Sequence, residues 1–176
     1  MLYIIILAGV LFTGLLILRK LQRGPYIAGG LMDAPAPVRK AAKRAGLHAK
    51  PNTEIIASIA SSEICIAALG QAFAQMDNAG AVQDTALQTA LKKHLKLDAS
   101  AAQDLTVLAP WIVAQGGGPT PAFDALTRRL KRLDHGTAFD KLMRVLGDIS
   151  AAGQRGMPSA RQSDAMGALA RVFRTA

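Results

Sequence analysis

The side chains of this chain that most often act in catalysis or bind transition metals are three histidines and one cysteine. His48, His94 and His135 are far apart, and none lies one helical turn from another histidine or from Cys65, as paired metal ligands on a helix require. Cys65 lies in an apolar stretch and has no second cysteine to bond with. It is therefore expected to be a buried hydrophobic residue in a reducing compartment.

Motifs for a serine nucleophile or a phosphate-binding loop are also missing. The sequence contains neither Gly-x-Ser-x-Gly nor Ser-x-x-Lys, the patterns that place a reactive serine beside its activating group. The stretch 115–121 (QGGGPTP) lacks the Lys-Ser/Thr pair of a phosphate loop and follows a predicted helix, so it is interpreted as a linker. We therefore predict that the protein is not an enzyme, with no catalytic residues and no cofactor.

The N-terminus carries a candidate membrane anchor. Residues 2–18 form an uncharged apolar run of seventeen residues, followed at once by Arg19, Lys20 and Arg23. As a helix this run would span about 26 Å, which crosses a hydrocarbon core of roughly 30 Å if the flanking cations snorkel. A cleaved signal peptide, the alternative, would have its charge before the run. The positive-inside rule places the N-terminus outside a bacterial-type inner membrane and the domain in the cytoplasm.

Most of the net charge of +9 lies next to this run. Residues 19–50 hold eight Lys and Arg against one Asp, a net charge of +7, whereas residues 51–176 hold thirteen against eleven, a net charge of +2. Such a distribution favours anionic lipid headgroups as a partner, at about 1 kcal/mol per cation, over nucleic acid, which we do not expect. The predicted lipid-facing residues are Arg19, Lys20, Arg23, Arg39, Lys40, Lys43 and Arg44.

A short amphipathic helix is predicted within this basic segment. Pro37 suits its first turn and Gly46 its end. Val38, Ala41, Ala42 and Ala45 share one face of it, and the cations share the other. This pattern is typical of a helix that lies on a headgroup layer, and equally of a solvated basic linker.

From residue 54 onward the apolar spacing is helical and no segment alternates with a period of two. A long core-facing stripe begins at Ile55, and Asp98 is a suitable N-cap for a later helix. The fold class predicted is all-α: one N-terminal transmembrane helix plus a compact helical bundle with two pseudo-repeated helical hairpins. The predicted domains are 1–23 (anchor and basic flank), 24–53 (connector with the short basic helix) and 54–176 (helical domain).

Three stretches of the helical region carry a family resemblance: FAQMDNAGAV, LKLDASAAQDL and VLGDISAAGQRGMPSARQ. Over about residues 54–174 the chain resembles the TerB-like (tellurite-resistance) domain, which is also found in membrane-anchored J-domain co-chaperones. The resemblance implies metal binding through acids at two turns, with Asp77 and Asp84 at the first and Asp148 one helical turn before the second. Gln162 stands where an acid would help. No His-Pro-Asp occurs, so a J-domain activity does not carry over.

These observations favour a single-pass, non-enzymatic interaction or scaffold module that presents a TerB-like domain to other proteins at the cytoplasmic membrane face. One alternative is an accessory subunit of a larger, energy-transducing membrane complex, for which Gly9 and Thr13 give a small-residue packing face in the anchor. A second alternative is a domain that binds a divalent metal or responds to oxyanion stress. The expected partners are an anionic bilayer and proteins whose identity the sequence does not give.

Overall fold

The computed structural model of the protein is all-α over the residues that it describes, which confirms that part of the predicted fold class. The predicted membrane span and its flank, at residues 1–30, lie outside the described part of the chain. Among the helices that are described, none combines the length and apolar character needed to cross a bilayer. The described residues are 31–48, 54–77, 81–134, 136–153 and 156–174.

Eight α-helices follow a short 3₁₀ turn at Leu31–Asp33 in these ranges. They are α1 (Ala36–Arg44), α2 (Ile55–Ser58), α3 (Ser62–Gln75), α4 (Ala81–Leu95), α5 (Ala99–Gln115), α6 (Pro119–Leu133), α7 (Thr137–Ala152) and α8 (Ala160–Arg174).

Helix α3 is the centre of the bundle, in contact with α4, α5, α6 and α7. Eleven of its fourteen residues are buried, because its sequence is apolar on every side rather than along one stripe. Gly70 allows the neighbours to approach closely: a Cβ at this position would lie 2.7 Å from Leu87 Cδ1 and 3.1 Å from Ile149 Cδ1. The core is therefore built around α3, with α4 and α7 packed against the side that carries Gly70.

The apolar stripe that begins at Ile55 is divided between two helices. After α2, Ile59 adopts an extended conformation (ψ 121°), and α3 starts anew with Ser61 as its N-cap. The Ser61 hydroxyl oxygen accepts a hydrogen bond from Ile64 N at 3.3 Å. Helix α5 begins as the sequence predicts, since Asp98 Oδ1 accepts a hydrogen bond from Ala101 N at 2.7 Å.

Helix α1 packs against α5 as part of the same bundle. It ends at the predicted glycine: Gly46 has a φ of +72°, and Leu47 N donates to Ala42 O at 2.9 Å. Gly46 N also donates to Lys43 O at 3.3 Å, which completes a Schellman motif. Leu47, the residue after the glycine, is 2% exposed. The segment predicted as a connector therefore contributes a helix and an apolar side chain to the core.

The triple glycine between α5 and α6 is a tight turn rather than a loose linker. Gly117 and Gly118 have φ values of +85° and +105°, which L-residues with side chains rarely adopt. A Cβ on Gly116 would lie 2.7 Å from Ala122 Cβ and 2.9 Å from Ile56 Cδ1. Two of the glycines thus serve the backbone conformation, and the first allows α6 to approach the end of α5.

The two predicted hairpins pack differently from each other. Helices α3 and α4 contact one another directly, as expected of a hairpin. In the second pair, α7 packs mainly on α4 and α3, whereas α8 lies mainly against α6. Phe139 of α7 and Phe173 of α8 still meet, with ring centroids 5.0 Å apart. The second pair is thus opened so that its two helices cover different parts of the core.

Candidate functional site

The candidate site is the cationic face of α1, which the helical spacing separates cleanly from the buried face. Val38, Ala41 and Ala42 are buried, and α5 is the helix that α1 packs on. The cations at positions 39, 40, 43 and 44 are all exposed. The sequence would equally allow the apolar face of α1 to lie on lipid, but in the structure this face packs against α5. Any lipid contact of α1 must therefore come from the cations on its opposite side.

One of these four cations is partly neutralised. Arg44 Nη1 lies 3.2 Å from Asp104 Oδ1 and 3.4 Å from Oδ2, and this pair joins the end of α1 to α5. Arg39, Lys40 and Lys43 form no ion pair within the described part of the chain. Three uncompensated positive charges therefore project from a helix that is fixed to the domain. Arg19, Lys20 and Arg23, the other predicted lipid-facing residues, lie outside the described residues.

The cations of α6 have a different use from those of α1. Arg129 Nε donates to Ile59 O at 2.7 Å, where the chain leaves α2. Lys131 Nζ donates to Val172 O at 2.6 Å, near the end of α8. Both side chains are partly buried and satisfy backbone carbonyls that the helix ends leave open. Arg129 and Lys131 thus hold neighbouring parts of the bundle in place.

A groove of about 390 Å³ lies between the end of α1, the start of α3 and the start of α5. Its carboxylates all have structural partners: Asp98 caps α5, Asp104 pairs with Arg44, and Glu63 Oε2 accepts from Ser61 Oγ at 2.6 Å. The Ser61 hydroxyl lowers the pKa of Glu63 despite its partial burial. The groove is lined by Arg44, Ala45, Ser61, Glu63, Ile64, Leu97, Asp98, Ser100, Ala101, Asp104 and Leu105.

The three acids named as metal candidates are not brought together at one centre. Asp77 is exposed in the turn after α3, and Asp84 Oδ1 accepts from Gln71 Nε2 at 3.3 Å. Asp148 lies beside His94 of α4. His94 is ten residues beyond Asp84 on the same helix, so about 15 Å of helix separates the two positions. Within the described ranges, no three His, Cys, Asp or Glu side chains form a group that could hold a metal ion.

The structure reveals a histidine–carboxylate pair that sequence spacing did not indicate. His94 Nε2 lies 2.9 Å from Asp148 Oδ2, and Lys93 Nζ lies 3.2 Å from the same oxygen. Burial of Asp148 disfavours its charge, but its hydrogen bonds with His94 and Lys93 outweigh that effect, so its pKa is lowered. The partners are 54 residues apart, so no local pattern could have shown them. The pair links α4 to α7.

Gln162, at the position where an acid would support a metal site, makes contacts that an ionised acid could not all make. Its Oε1 accepts from Ser159 N at 3.1 Å, and Ser159 Oγ accepts from Gln162 N at 3.2 Å, so the two residues form a capping box at the start of α8. Its Nε2 donates to Phe73 O at 3.0 Å, in the last turn of α3. The turn before α8 thus lies close to the end of α3, but the side-chain amide of Gln162 joins them and not a metal ligand.

Comparison with known proteins adds no relative. No protein-family model, no curated protein sequence and no solved structure matches the chain. The TerB-like resemblance therefore rests on the pattern of turns and helices in the sequence.

Proposed function

We propose that the protein is a single-pass, non-enzymatic interaction module of the inner membrane, built on a TerB-like helical domain. In this proposal the apolar run at residues 2–18 anchors the chain, and the cationic face of α1 rests on anionic headgroups. The domain then presents its remaining surface to other proteins on the cytoplasmic side. The observation that carries the proposal is that Arg39, Lys40 and Lys43 are exposed on a helix packed on α5 and form no ion pair with the described residues.

The position of α1 in the chain supports this proposal. Twelve residues, 19–30, separate Leu18 from Leu31, so that even a fully extended chain would reach only roughly 45 Å. The cations of α1 would therefore stay close to any bilayer that holds residues 2–18. Because α1 is fixed to the bundle, attraction of its charges to the surface would orient the whole domain.

Four of the reactive side chains in the described residues support a non-enzymatic role, since the structure accounts for each of them without catalysis. Cys65 is buried and burial raises the pKa of its thiol to about 12, which disfavours the nucleophilic thiolate. His94 and Asp148 connect α4 to α7. Glu63 is held by the N-cap serine of α3.

The test uses the full chain in vesicles and measures the distance from domain to bilayer by energy transfer. A donor dye is attached at Ala36→Cys, since residue 36 is exposed at the start of α1. Buried Cys65 stays unlabelled because its thiol is protonated at neutral pH. The acceptor is a lipid dye in vesicles of phosphatidylcholine, with or without phosphatidylglycerol.

The decisive variant is Arg39→Glu, Lys40→Glu, Lys43→Glu. Loss of three attractions of about 1 kcal/mol each lowers the ratio of docked to undocked domain on the order of a hundredfold, and reversal of the charges adds repulsion. We expect strong transfer for the unmodified face on anionic vesicles, weak transfer for the variant, and a loss of the difference at high salt because the surface field is screened.

A matched control carries the same change in net charge elsewhere. Lys92, Arg128 and Arg161 are exposed on α4, α6 and α8, and their replacement by glutamate leaves α1 intact. This control should keep strong transfer on anionic vesicles. Equal losses in both variants, or no loss in the α1 variant, would show that the face of α1 does not bind the bilayer.

A further inference from the structure

Helix α8 is the least embedded of the long helices in the described residues. Only Gln162 and Leu169 among its fifteen residues are buried, whereas eleven of fourteen are buried in α3. Ala165, Met166 and Phe173 are partly buried against the core. A helix with few buried apolar side chains is held by a small part of the free energy that stabilises the domain.

Contacts spread along the length of α8 attach it to the bundle. At its start, Gln162 Nε2 donates to Phe73 O of α3 at 3.0 Å. Near its end, Lys131 Nζ of α6 donates to Val172 O at 2.6 Å, and the ring of Phe173 lies 5.0 Å from that of Phe139 on α7. Each contact joins α8 to a different helix. Release of α8 would leave α6 and α7 each in contact with α3.

Helix α8 is also closed on itself at its N-terminus. The reciprocal bonds between Ser159 and Gln162 satisfy its first turn from within the segment. Gly156 precedes it with a φ of +63°, and Pro158 follows that glycine. The cap does not depend on docking, so its hydrogen bonds can persist when the helix leaves the bundle.

From these observations we infer that α8 is a strap that undocks as one unit while α3 to α7 stay folded. Undocking uncovers the seat of Leu169 and the ring of Phe139, an apolar surface on the side of α6 and α7. Gln162 is the principal fastening at the first end, because its side chain is 1% exposed and bridges to the carbonyl of Phe73. This inference is independent of membrane binding.

Hydrogen exchange of the full chain in detergent micelles, followed by mass spectrometry, tests the inference. We expect the amides of α8 to exchange together and at least about tenfold faster than those of α3, because opening of α8 precedes global unfolding. Exchange of α8 at the same rate as α3 would overturn the inference, because it would place both helices in one cooperative unit.

The variant Gln162→Glu tests the hydrogen bond between the Gln162 side chain and Phe73 O. Glutamate keeps an acceptor for Ser159 N but places an oxygen against Phe73 O, so the bridge is lost. Burial of a carboxylate oxygen against this carbonyl oxygen should speed exchange throughout α8 by roughly tenfold to a hundredfold, with α3 to α5 unchanged. The control is Gln103→Glu, the same chemical change at an exposed position of α5, which should change neither rate.

A second variant at the opposite end keeps the test decisive if Gln162→Glu disturbs folding. Phe173→Ala removes the ring contact with Phe139 near the end of α8. If α8 undocks as a unit, the exchange rate also rises in the first turn of α8, at the opposite end of the helix from the substitution. A rise confined to the last turn would mean local fraying, and a rise in every helix would mean general destabilisation. Either result refutes the strap.

Discussion

Leu47 offers a direct measure of whether α1 and its end belong to the folded domain. The side chain is 2% exposed, and Leu47→Ala removes three carbons from it. At about 0.8 kcal/mol per methylene the lost transfer free energy is about 2.4 kcal/mol, and the cavity left behind adds to this. We expect a loss of about 3 kcal/mol in the free energy of unfolding, or on the order of 10 °C in Tm.

The assay is urea unfolding of the full chain in detergent, followed by the fluorescence of Trp111. This is the one tryptophan of the chain, and it is 7% exposed on α5, the helix that carries α1. The control is Val107→Ala, since Val107 is 38% exposed on α5 and its truncation should change stability by less than about 0.5 kcal/mol. Equal midpoints for the two variants would show that residues 36–47 form only a connector.

Three further predictions concern the turns and the acids. Gly116→Ala places a Cβ against Ala122 and should lower stability by about 1–3 kcal/mol, whereas Gly147→Ala, with open space around it, should raise stability by roughly 0.5–1 kcal/mol; thermal melts compare them. Because the folded-state pKa of Glu63 is lowered, its ionisation stabilises the fold above its unfolded pKa, and this contribution is lost as pH falls through the folded value. Ser61→Ala should reduce this acid-sensitive contribution, as seen in urea midpoints at neutral and acid pH. Divalent cations should leave Tm unchanged and give no heat in calorimetry, since the candidate acids are apart; a saturable rise in Tm would contradict this.

The helical pattern and several helix ends could be predicted from local sequence. Gly46 ends α1 and Asp98 caps the start of α5, as predicted, because such signals depend on neighbouring backbone groups only. The apolar face of α1 was also recognisable as a face. Its partner was not, because Val38 and two alanines fit a headgroup layer and a helix surface equally well, and only the position of α5 decides between them.

The contacts that could not be predicted are those between residues distant in sequence. His94 meets Asp148, and Gln162 meets Phe73, across 54 and 89 residues. The glycine run at 116–118 was predicted as a linker, but the close approach of Ala122 depends on how α6 packs. A single sequence without long-range information carries no signal for such pairs.

The placement of α1 has a mechanical consequence. The chain that connects the predicted anchor to the core includes α1. Tension on the N-terminal segment would therefore reach the α1–α5 contact before it reaches α3. Under load α1 would peel away first, and the inner helices would keep their arrangement. In a chain anchored by residues 2–18, α1 would thus yield first and spare the inner helices.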